Sequence, residues 1–429
     1  MRSKNKILDN LSKLHPKIID LSLDRVFDLL KKLNNPHLSI PSAIHIAGTN
    51  GKGSTLAFLK AGLEANNKVV HTYTSPHLVD FNERIRLKGK KINDSLLIQY
   101  LETCEYANQS NEITFFEITT CAAFIAFSKH KADYTLIEVG LGGNLDATNV
   151  IKSPILSIIT PISLDHQQFL GNSILEIAAE KAGILKPTIP AIVGKQENEV
   201  AEKICSIARN QGTPISLFGR DWSSKKHKDF LVYEDNDGII ELPTPKLEGL
   251  HQFENAGIAI NALKILNLKN NLLKKALSNV NWPARLHKLS SGPLVKKLKG
   301  LPFNVEIWID GGHNQAAAKS IASFLNQPFN GTSHIILGMI NSKDVGKFIT
   351  ELSVFADSIA CITIPDEPAS LDKDEIFAQI KPVYNNTFTS DSVIQALDMI
   401  TNKNFHEVNL RLVICGSLYL CGHILRNHK

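Results

Sequence analysis

The sequence predicts two α/β units in tandem, each a mostly parallel sheet flanked by helices. Two observations carry that expectation. Short apolar runs alternate with segments of helical periodicity over most of the 429 residues. A polar stretch with proline and glycine, "NWPARLHKLSSGPLVKKLKGLP", interrupts this alternation, which then resumes. That stretch reads as an inter-domain linker, and the expected domains are residues 1–286 and 287–429.

The elements follow in order. Ala43 to Ala47 is short and mostly apolar, as a buried parallel strand should be. Leu56, Ala57, Leu59 and Leu63 then recur at helical spacing. "KVVHTYT", "DYTLIEVG", "PILSIIT" and "IPAIVG" read as further buried strands, and "ITPISLDHQQFLG" as a strand ending near Asp165-His166. "SILEIAAEKAGIL" and "EVAEKICSIARNQG" read as helices, the second closed by Gly212. "KDFLVYEDNDGIIELP" reads as a hairpin turning at Asn236-Asp237-Gly238, with a helix from Phe253. After the linker, "NVEIWIDGG", "SHIILGM", "SIACITI" and "LRLVICGS" read as strands.

Composition narrows the class. The chain is 43% hydrophobic and 21% charged, ordinary for a soluble globular protein. A net charge of +5 suits an enzyme with anionic substrates and does not call for nucleic acid. Six cysteines occur singly, which suggests neither a disulfide framework nor a zinc knuckle. "MRSKNKILDN" lacks the apolar core of a signal peptide, and no apolar run reaches membrane-spanning length. The expectation is a reduced, cytoplasmic protein with no membrane partner.

"HIAGTNGKGST" places Gly48 to Ser54 between a strand and a helix N-terminus. The first N–H groups of a helix lack partners there, and its dipole favours an anion. Gly48, Gly51 and Gly53 let the backbone curl closely, Lys52 adds a mobile cation, and Ser54 a hydroxyl. The spacing departs from the usual phosphate-loop fingerprint, because only three residues separate Gly48 from Lys52. A nucleotide loop and a plain glycine turn both remain open on local pattern.

Other strand ends carry candidates. Glu138 ends a buried strand, where open α/β sheets bind ligands; it is a Mg²⁺ ligand or a salt-bridged carboxylate. Gly140-x-Gly142 is a weak dinucleotide signal, since Leu145 stands where a third glycine should be. His166, and Ser75 with His77 in "TSPHL", are by default structural or turn residues. Asp310 and His313 end a strand in "IDGGHN". Lys52, Ser75, Glu138 and His166 together fit one crevice of one sheet.

"AGTNGKGST", "TSPHL" with "FNERI", "IEVGLGGNLDATN", "LDHQQFLG" with "EKAGILKP", "DGGHN" and "CGSLYLCG" occur in this order. Over His15 to Gly422 the chain resembles the folylpolyglutamate synthase/dihydrofolate synthase family of the Mur ligase superfamily. The resemblance implies a P-loop ATPase-like N-terminal domain and a smaller, Rossmann-like C-terminal one. It also implies ATP-dependent joining of a folate-type carboxylate to the amine of L-glutamate, through an acyl phosphate, with one or two Mg²⁺ ions.

By that resemblance Thr49, Asn50, Gly51, Lys52, Gly53 and Ser54 hold ATP phosphates. Ser75, Glu138, His166 and Lys181 surround the metal, Lys181 as a CO₂-modified lysine. Spacing alone would make Lys181 a surface partner of Glu180 or Glu176. Asn255, Arg285 and Asp310 are the remaining ATP contacts, and His313 and Ser417 handle glutamate. Lys52, Lys181, His166, Asp310 and His313 are the implied catalytic set. "LHPKIIDLSLDRV" resembles the segment of bifunctional members that contacts dihydropteroate. Asp20, Leu21 and Leu23, with Thr114, Phe115, Phe116 and Glu117 and with Leu145, Asp146 and Ala147, would line the pterin site.

Two motifs depart from the family pattern. Pro283-Ala284-Arg285 replaces Pro-Gly-Arg, and "DGGHNQ" lacks the usual alanine and proline. The rivals are a monofunctional folylpolyglutamate synthase, a cell-wall precursor ligase, a nucleotide-binding regulator and a NAD enzyme. The expected partners are small molecules only, with the protein a monomer.

Overall fold

The computed structural model describes residues 2–17, 19–403 and 409–427. The chain falls into two units. The first is Met1–Lys246 with Phe253–Val280, and the second is Leu247–Gln252 with Asn281–Lys429.

Among the described residues the first unit has eight strands in its main sheet: β1 Ser42–Ala47, β2 Val70–Tyr73, β3 Ile85–Leu87, β4 Lys90–Lys91, β5 Tyr134–Glu138, β6 Leu156–Ile159, β7 Ala191–Val193 and β8 Ile215–Leu217. The order is β4-β3-β2-β5-β1-β6-β7-β8. The six strands from β2 to β8 in that order pair in parallel, and β3 and β4 add an antiparallel edge. β1 is central because Ile44 and Ile46 face one side and Ala43, His45 and Ala47 the other, and all are buried. Helices cover both faces of such a sheet. Ile118, Ala122, Phe124 and Ile125 of the helix Phe115–Lys129 pack with Leu29 and Leu30 in one core. Ile177, Ala178 and Ala182 of the helix Ile174–Ala182 pack with Ile204 and Ala208 in another.

A three-stranded antiparallel sheet follows: β9 Trp222–His227, β10 Phe230–Asp235 and β11 Gly238–Pro243. The expected hairpin is therefore the second half of a meander. β9, "WSSKKH", escapes a hydrophobic pattern because its second half is exposed.

The second unit holds β12 His287–Lys288, β13 Val305–Ile309, β14 Gly331–Leu337, β15 Ser358–Cys361, β16 Thr387–Thr389 and β17 Asn409–Cys415, in the order β12-β13-β17-β14-β15-β16. β12 is antiparallel and the others are parallel. The stretch read as a linker supplies β12 and the helix Pro293–Leu298 of this unit. Its polarity reflects a sheet edge, with Lys288 exposed.

The strand expected to end near Asp165-His166 stops at Ile159. Thr160 still donates its N–H to the Ala47 carbonyl at 2.8 Å, but Pro161 has no N–H to continue the ladder. The Pro161 carbonyl instead accepts the N–H groups of Thr49 and Asn50 at 3.0 and 3.1 Å. No helix among the described residues is long and apolar enough to cross a membrane.

Candidate active site

Parallel pairing of β1, β2, β5 and β6 brings their C-terminal ends to one edge of the sheet. Ile46 lies opposite Glu138, and Tyr73 opposite Ile137. The loops after β1, β2 and β6 carry Gly48, Ser75 and Ser163, and Glu138 is the last residue of β5.

The loop after β1 is fastened to the loop after β6. The Thr49 hydroxyl donates to the Ser163 carbonyl and accepts the Ser163 N–H, both at 3.1 Å, and Asn50 Nδ2 donates to Ser163 Oγ at 3.1 Å. Gly48 has φ +145°, and a Cβ there would lie 1.9 Å from Thr160 Oγ1. Gly51 has φ +87° and begins the helix Lys52–Ala65; a Cβ on it would meet Asn255 Oδ1 at 2.2 Å. Only glycine fits these two positions. Gly53 and Ser54 are buried in the first helical turn, and Asn255 is buried against Gly51.

Two lysines converge on one carbonyl. Lys52 Nζ donates to the Gly48 oxygen at 3.0 Å and to the Thr49 oxygen at 3.2 Å. Lys181 Nζ donates to the same Gly48 oxygen at 3.1 Å. Lys181 is 5% exposed, so it is not a surface partner of Glu176. It sits one turn after Ile177 and three residues after Ala178, on the apolar face of its helix. Burial pushes its amine down to about 7, and the positive charge of Lys52 pushes the same way; Asp165, Asp146 and Glu180 act against them. Burial also raises the Glu180 carboxyl, whose Oε2 has no hydrogen-bond partner among the described residues.

Glu138 is buried and accepts the Ser75 N–H at 3.3 Å. His166 has φ +52° and starts the helix Gln167–Leu170, with its ring 3.9 Å from Asp165 Oδ1. Among the described residues no three His, Cys, Asp or Glu side chains gather as a metal cluster. A set of Ser75, Glu138, His166 and Lys181 contains only two such residues. It suits a hard divalent ion only if Lys181 also presents oxygen, because Mg²⁺ prefers oxygen ligands and an ammonium would repel it. A buried amine pushed down to about 7 is compatible with that conversion.

In the second unit Asp310 is buried, and its carboxylate accepts the N–H groups of Leu286 and Gly312, each at 2.7 Å. Burial raises this carboxyl, and Arg285 partly offsets the shift. Ala284 adopts φ +60°, so the turn usually built with glycine keeps its left-handed form. His313 Nδ1 lies 3.0 Å from the Gly311 carbonyl. Asn314 caps the helix Gln315–Leu325, which starts without a proline at its first position. Ser417 caps the helix Leu418–Arg426, its hydroxyl accepting the Tyr419 N–H at 3.1 Å. The Gly416 N–H donates to the Gly312 carbonyl at 3.1 Å and so holds this second pair of loops together.

The chain that builds this site has counterparts among known proteins. The Mur ligase middle domain model matches residues 46–263, and the dihydrofolate synthetase C-terminal domain model matches 300–427. The dihydrofolate synthase/folylpolyglutamate synthase of Bacillus subtilis is 32% identical over 95% of this chain and 95% of its own length. The chain belongs to the dihydrofolate synthase/folylpolyglutamate synthase family. The folylpolyglutamate synthase of Lacticaseibacillus casei is 32% identical over 93% of this chain and 92% of its own. E. coli FolC in complex with DHPP and ADP superposes with a TM-score of 0.88 at 29% identity, covering 99% of this chain and 97% of that one. A bifunctional member with Mn, AMPPNP and L-glutamate bound gives a TM-score of 0.85 at 25% identity, over 99% and 98%. Members of this family are ATP-dependent ligases, and this chain is one by descent.

The segment resembling the family's dihydropteroate-contacting stretch lies at Leu14 to Val26; Ile18 within it is outside the described residues. Leu21 packs on the core beside the helix Ile174–Ala182, and Leu23 on the core beside the helix Phe115–Lys129. Thr114 and Glu117 form a capping box at the start of the latter helix. Phe115 stacks edge-on to Phe81 and Phe116 lies against Tyr73, at 5.8 and 6.1 Å between ring centroids. Leu145 is 38% exposed, whereas Asp146 and Ala147 are buried. Asp146 accepts from Thr148 and from the Leu141 N–H, and burial raises its carboxyl. Behind it, His45 Nε2 lies 2.8 Å from Thr148 Oγ1, and burial holds that imidazole down to about 3.

Sequence reasoning missed Ser163, Asp165 and Arg25. Ser163 had a signal: a small polar residue two positions beyond a strand-ending proline. A cavity of about 680 Å³ lined by Arg25, Leu29, Lys31, Lys32, Asn108 and Glu112 among others includes none of Lys52, Glu138, His166 or Lys181.

Proposed function

We propose that this protein joins L-glutamate to dihydropteroate, giving dihydrofolate, and to tetrahydrofolate (poly)glutamates, at the expense of ATP. The observation that carries the reading is the convergence of Lys52 and Lys181 on the Gly48 carbonyl, in a chain of this family.

The residues divide the work as follows. Gly51 to Ser54 present N–H groups and the helix N-terminus to the nucleotide phosphates, and Thr49 and Asn50, whose own N–H groups are bound by the Pro161 carbonyl, hold the loop beside them in shape. Asn255, Arg285 and Asp310 complete the nucleotide site, and His313 and Ser417 receive glutamate. On this reading residues 1–286 hold the pterin machinery and most of the nucleotide site, and residues 287–429 hold the glutamate-handling residues together with Asp310. The pteroate carboxylate attacks the γ-phosphorus and ADP leaves. The glutamate amine then attacks the acyl carbon, losing a proton, and phosphate departs. Lys52 neutralises charge that develops on the phosphoryl oxygens. Ser75, Glu138, His166 and Lys181 would hold a divalent ion, which when bound supplies further positive charge there. Lys181, as its neutral amine, adds to CO₂ and loses a proton to give a carbamate, so that the position offers oxygen instead of a cation. The same reading makes the protein a cytoplasmic monomer with small-molecule partners only; a dimer by light scattering would contradict the last point.

One assay tests the function. ADP release is measured with ATP and L-glutamate, and with dihydropteroate or tetrahydrofolate as the acid. Turnover with both is expected. Release with tetrahydrofolate alone reduces the protein to a monofunctional folylpolyglutamate synthase, and release with neither refutes the reading.

A further inference from the structure

Arg25 joins three pieces of the first unit. It lies on the helix Asp24–Lys32, yet its guanidinium leaves that helix for two carboxylates. Its Nε donates to Glu117 Oε2 and its Nη2 to Glu117 Oε1, both at 3.0 Å. Its Nη1 donates to Asp20 Oδ2 at 2.9 Å, and its Nη2 to the Asp20 backbone carbonyl at 2.8 Å. Four N–H vectors of one planar fork therefore span two partners far apart in sequence, Asp20 and Glu117. Only arginine has the donors and rigidity for that.

The two ends differ in kind. Glu117 is 3% exposed and already committed to a helix cap, since its Oε2 also accepts the Thr114 N–H at 2.7 Å. It is a fixed anchor on a regular helix. Asp20 belongs to an irregular segment between two helices, Lys4–Ser12 and Asp24–Lys32, and its side chain is 32% exposed. Its other neighbours are weaker: Lys17 Nζ at 3.4 Å and His15 Nε2 at 3.7 Å. The strong, low-entropy tie between this segment and the helix Phe115–Lys129 is the guanidinium.

We propose that Arg25 is a positioning residue for the pterin ring, holding Asp20 and its loop in register with the start of the helix Phe115–Lys129. The proposal rests on the reading that Asp20 and Thr114 to Glu117 line the dihydropteroate site. A pterin's amino and ring N–H groups are donors, so they suit a carboxylate kept charged and fixed in direction. Against the effect of burial, Arg25 and Lys17 together keep the Asp20 carboxyl below its usual range, and the backbone contact from Arg25 fixes the segment that carries it. A loop ordered beforehand does not lose that freedom on binding.

The test uses the full-length enzyme and two variants, Arg25→Lys and Arg25→Gln. Lysine keeps the positive charge beside buried Glu117, so it guards against loss of folding, but its single ammonium cannot hold both partners in a fork. KM is measured separately for dihydropteroate, ATP and glutamate, together with kcat. In both variants KM for dihydropteroate should rise about 10- to 100-fold, as for losing hydrogen bonds to a charged group, while KM for ATP and glutamate stays within about twofold. A dihydropteroate KM within about twofold of wild type in Arg25→Lys overturns the proposal. So does a parallel rise in all three KM values, which marks a structural role alone. Wild-type enzyme that releases no ADP with dihydropteroate overturns the underlying reading before any variant is compared, and this proposal with it.

Discussion

Lys181→Met removes a buried amine whose protonation the fold opposes, so it should stabilise the first unit at low pH. In the folded protein the amine is held down to about 7, against 10.5 for an ordinary lysine. A folded pKa below the unfolded one means the unfolded chain binds the proton more readily. Wild type is therefore penalised at low pH, and the penalty fades as pH rises toward the unfolded value. Linkage sets it at about 5 kcal/mol at pH 6, about 4 kcal/mol at pH 7.5 and about 1.4 kcal/mol at pH 9.5. Methionine also forfeits the hydrogen bond to the Gly48 carbonyl, worth about 1 kcal/mol. The net gain should thus be about 4 kcal/mol at pH 6 and near zero at pH 9.5. Urea unfolding followed by circular dichroism, in CO₂-free buffer at these pH values, measures it. A stability difference that does not change with pH would show that the amine is not depressed. Activity gives an independent check. Lys181→Ala, which empties the space that methionine would fill, should lose most turnover, and short carboxylic acids, which can place an oxygen in the vacated space, should restore part of it. Full activity in Lys181→Met would end the carbamate proposal.

Other substitutions probe the rest of the site. Lys52→Ala should lower kcat at least about 100-fold, the range for removing one preorganised charge stabiliser, with an unchanged circular dichroism spectrum; near-normal kcat would mean that Gly48 to Ser54 is not the phosphate loop. Gly51→Ala places a methyl 2.2 Å from Asn255 Oδ1 at φ +87°. It should cost about 1–3 kcal/mol of stability and weaken ATP binding by calorimetry, and normal binding would remove Asn255 from the nucleotide site. Arg285→Ala should raise KM for ATP about tenfold, as for one charged hydrogen bond, and an unchanged value would exclude the second unit from ATP use.

The frame was legible in the sequence because its strands are buried on both faces. A strand such as β1 or β7 reads as a mostly apolar run, and the helix after it as a periodic one. Short edge strands such as β12 and β16 were not legible, since two or three residues carry no period. Lys181 shows a subtler failure. Charge suggested a surface pair, whereas its place on the apolar face of Ile177, Ala178 and Ala182 pointed inward. The pattern was present and the residue type masked it. Arg25 was illegible for another reason: Glu117 is distant in sequence, and nothing local marks a guanidinium that leaves its own helix.

The path of the chain also bears on how such a protein can be recombined. Leu247–Gln252 belongs to the second unit, although Met1–Lys246 before it and Phe253–Val280 after it belong to the first. The helix His251–Ile265 thus begins in one unit and continues in the other. The loan is substantial, since burial of the His251 ring holds its imidazole down to about 4. A fragment starting at residue 281 would omit that strand of chain, leaving a hole where the borrowed hexapeptide belongs. A chimera joined at one crossover after Val280 would then pair a donor's C-terminal half with a hexapeptide from the other parent. Swapping the second unit between relatives needs the six-residue insert exchanged too, so its inheritance is tied to two separate stretches of one gene.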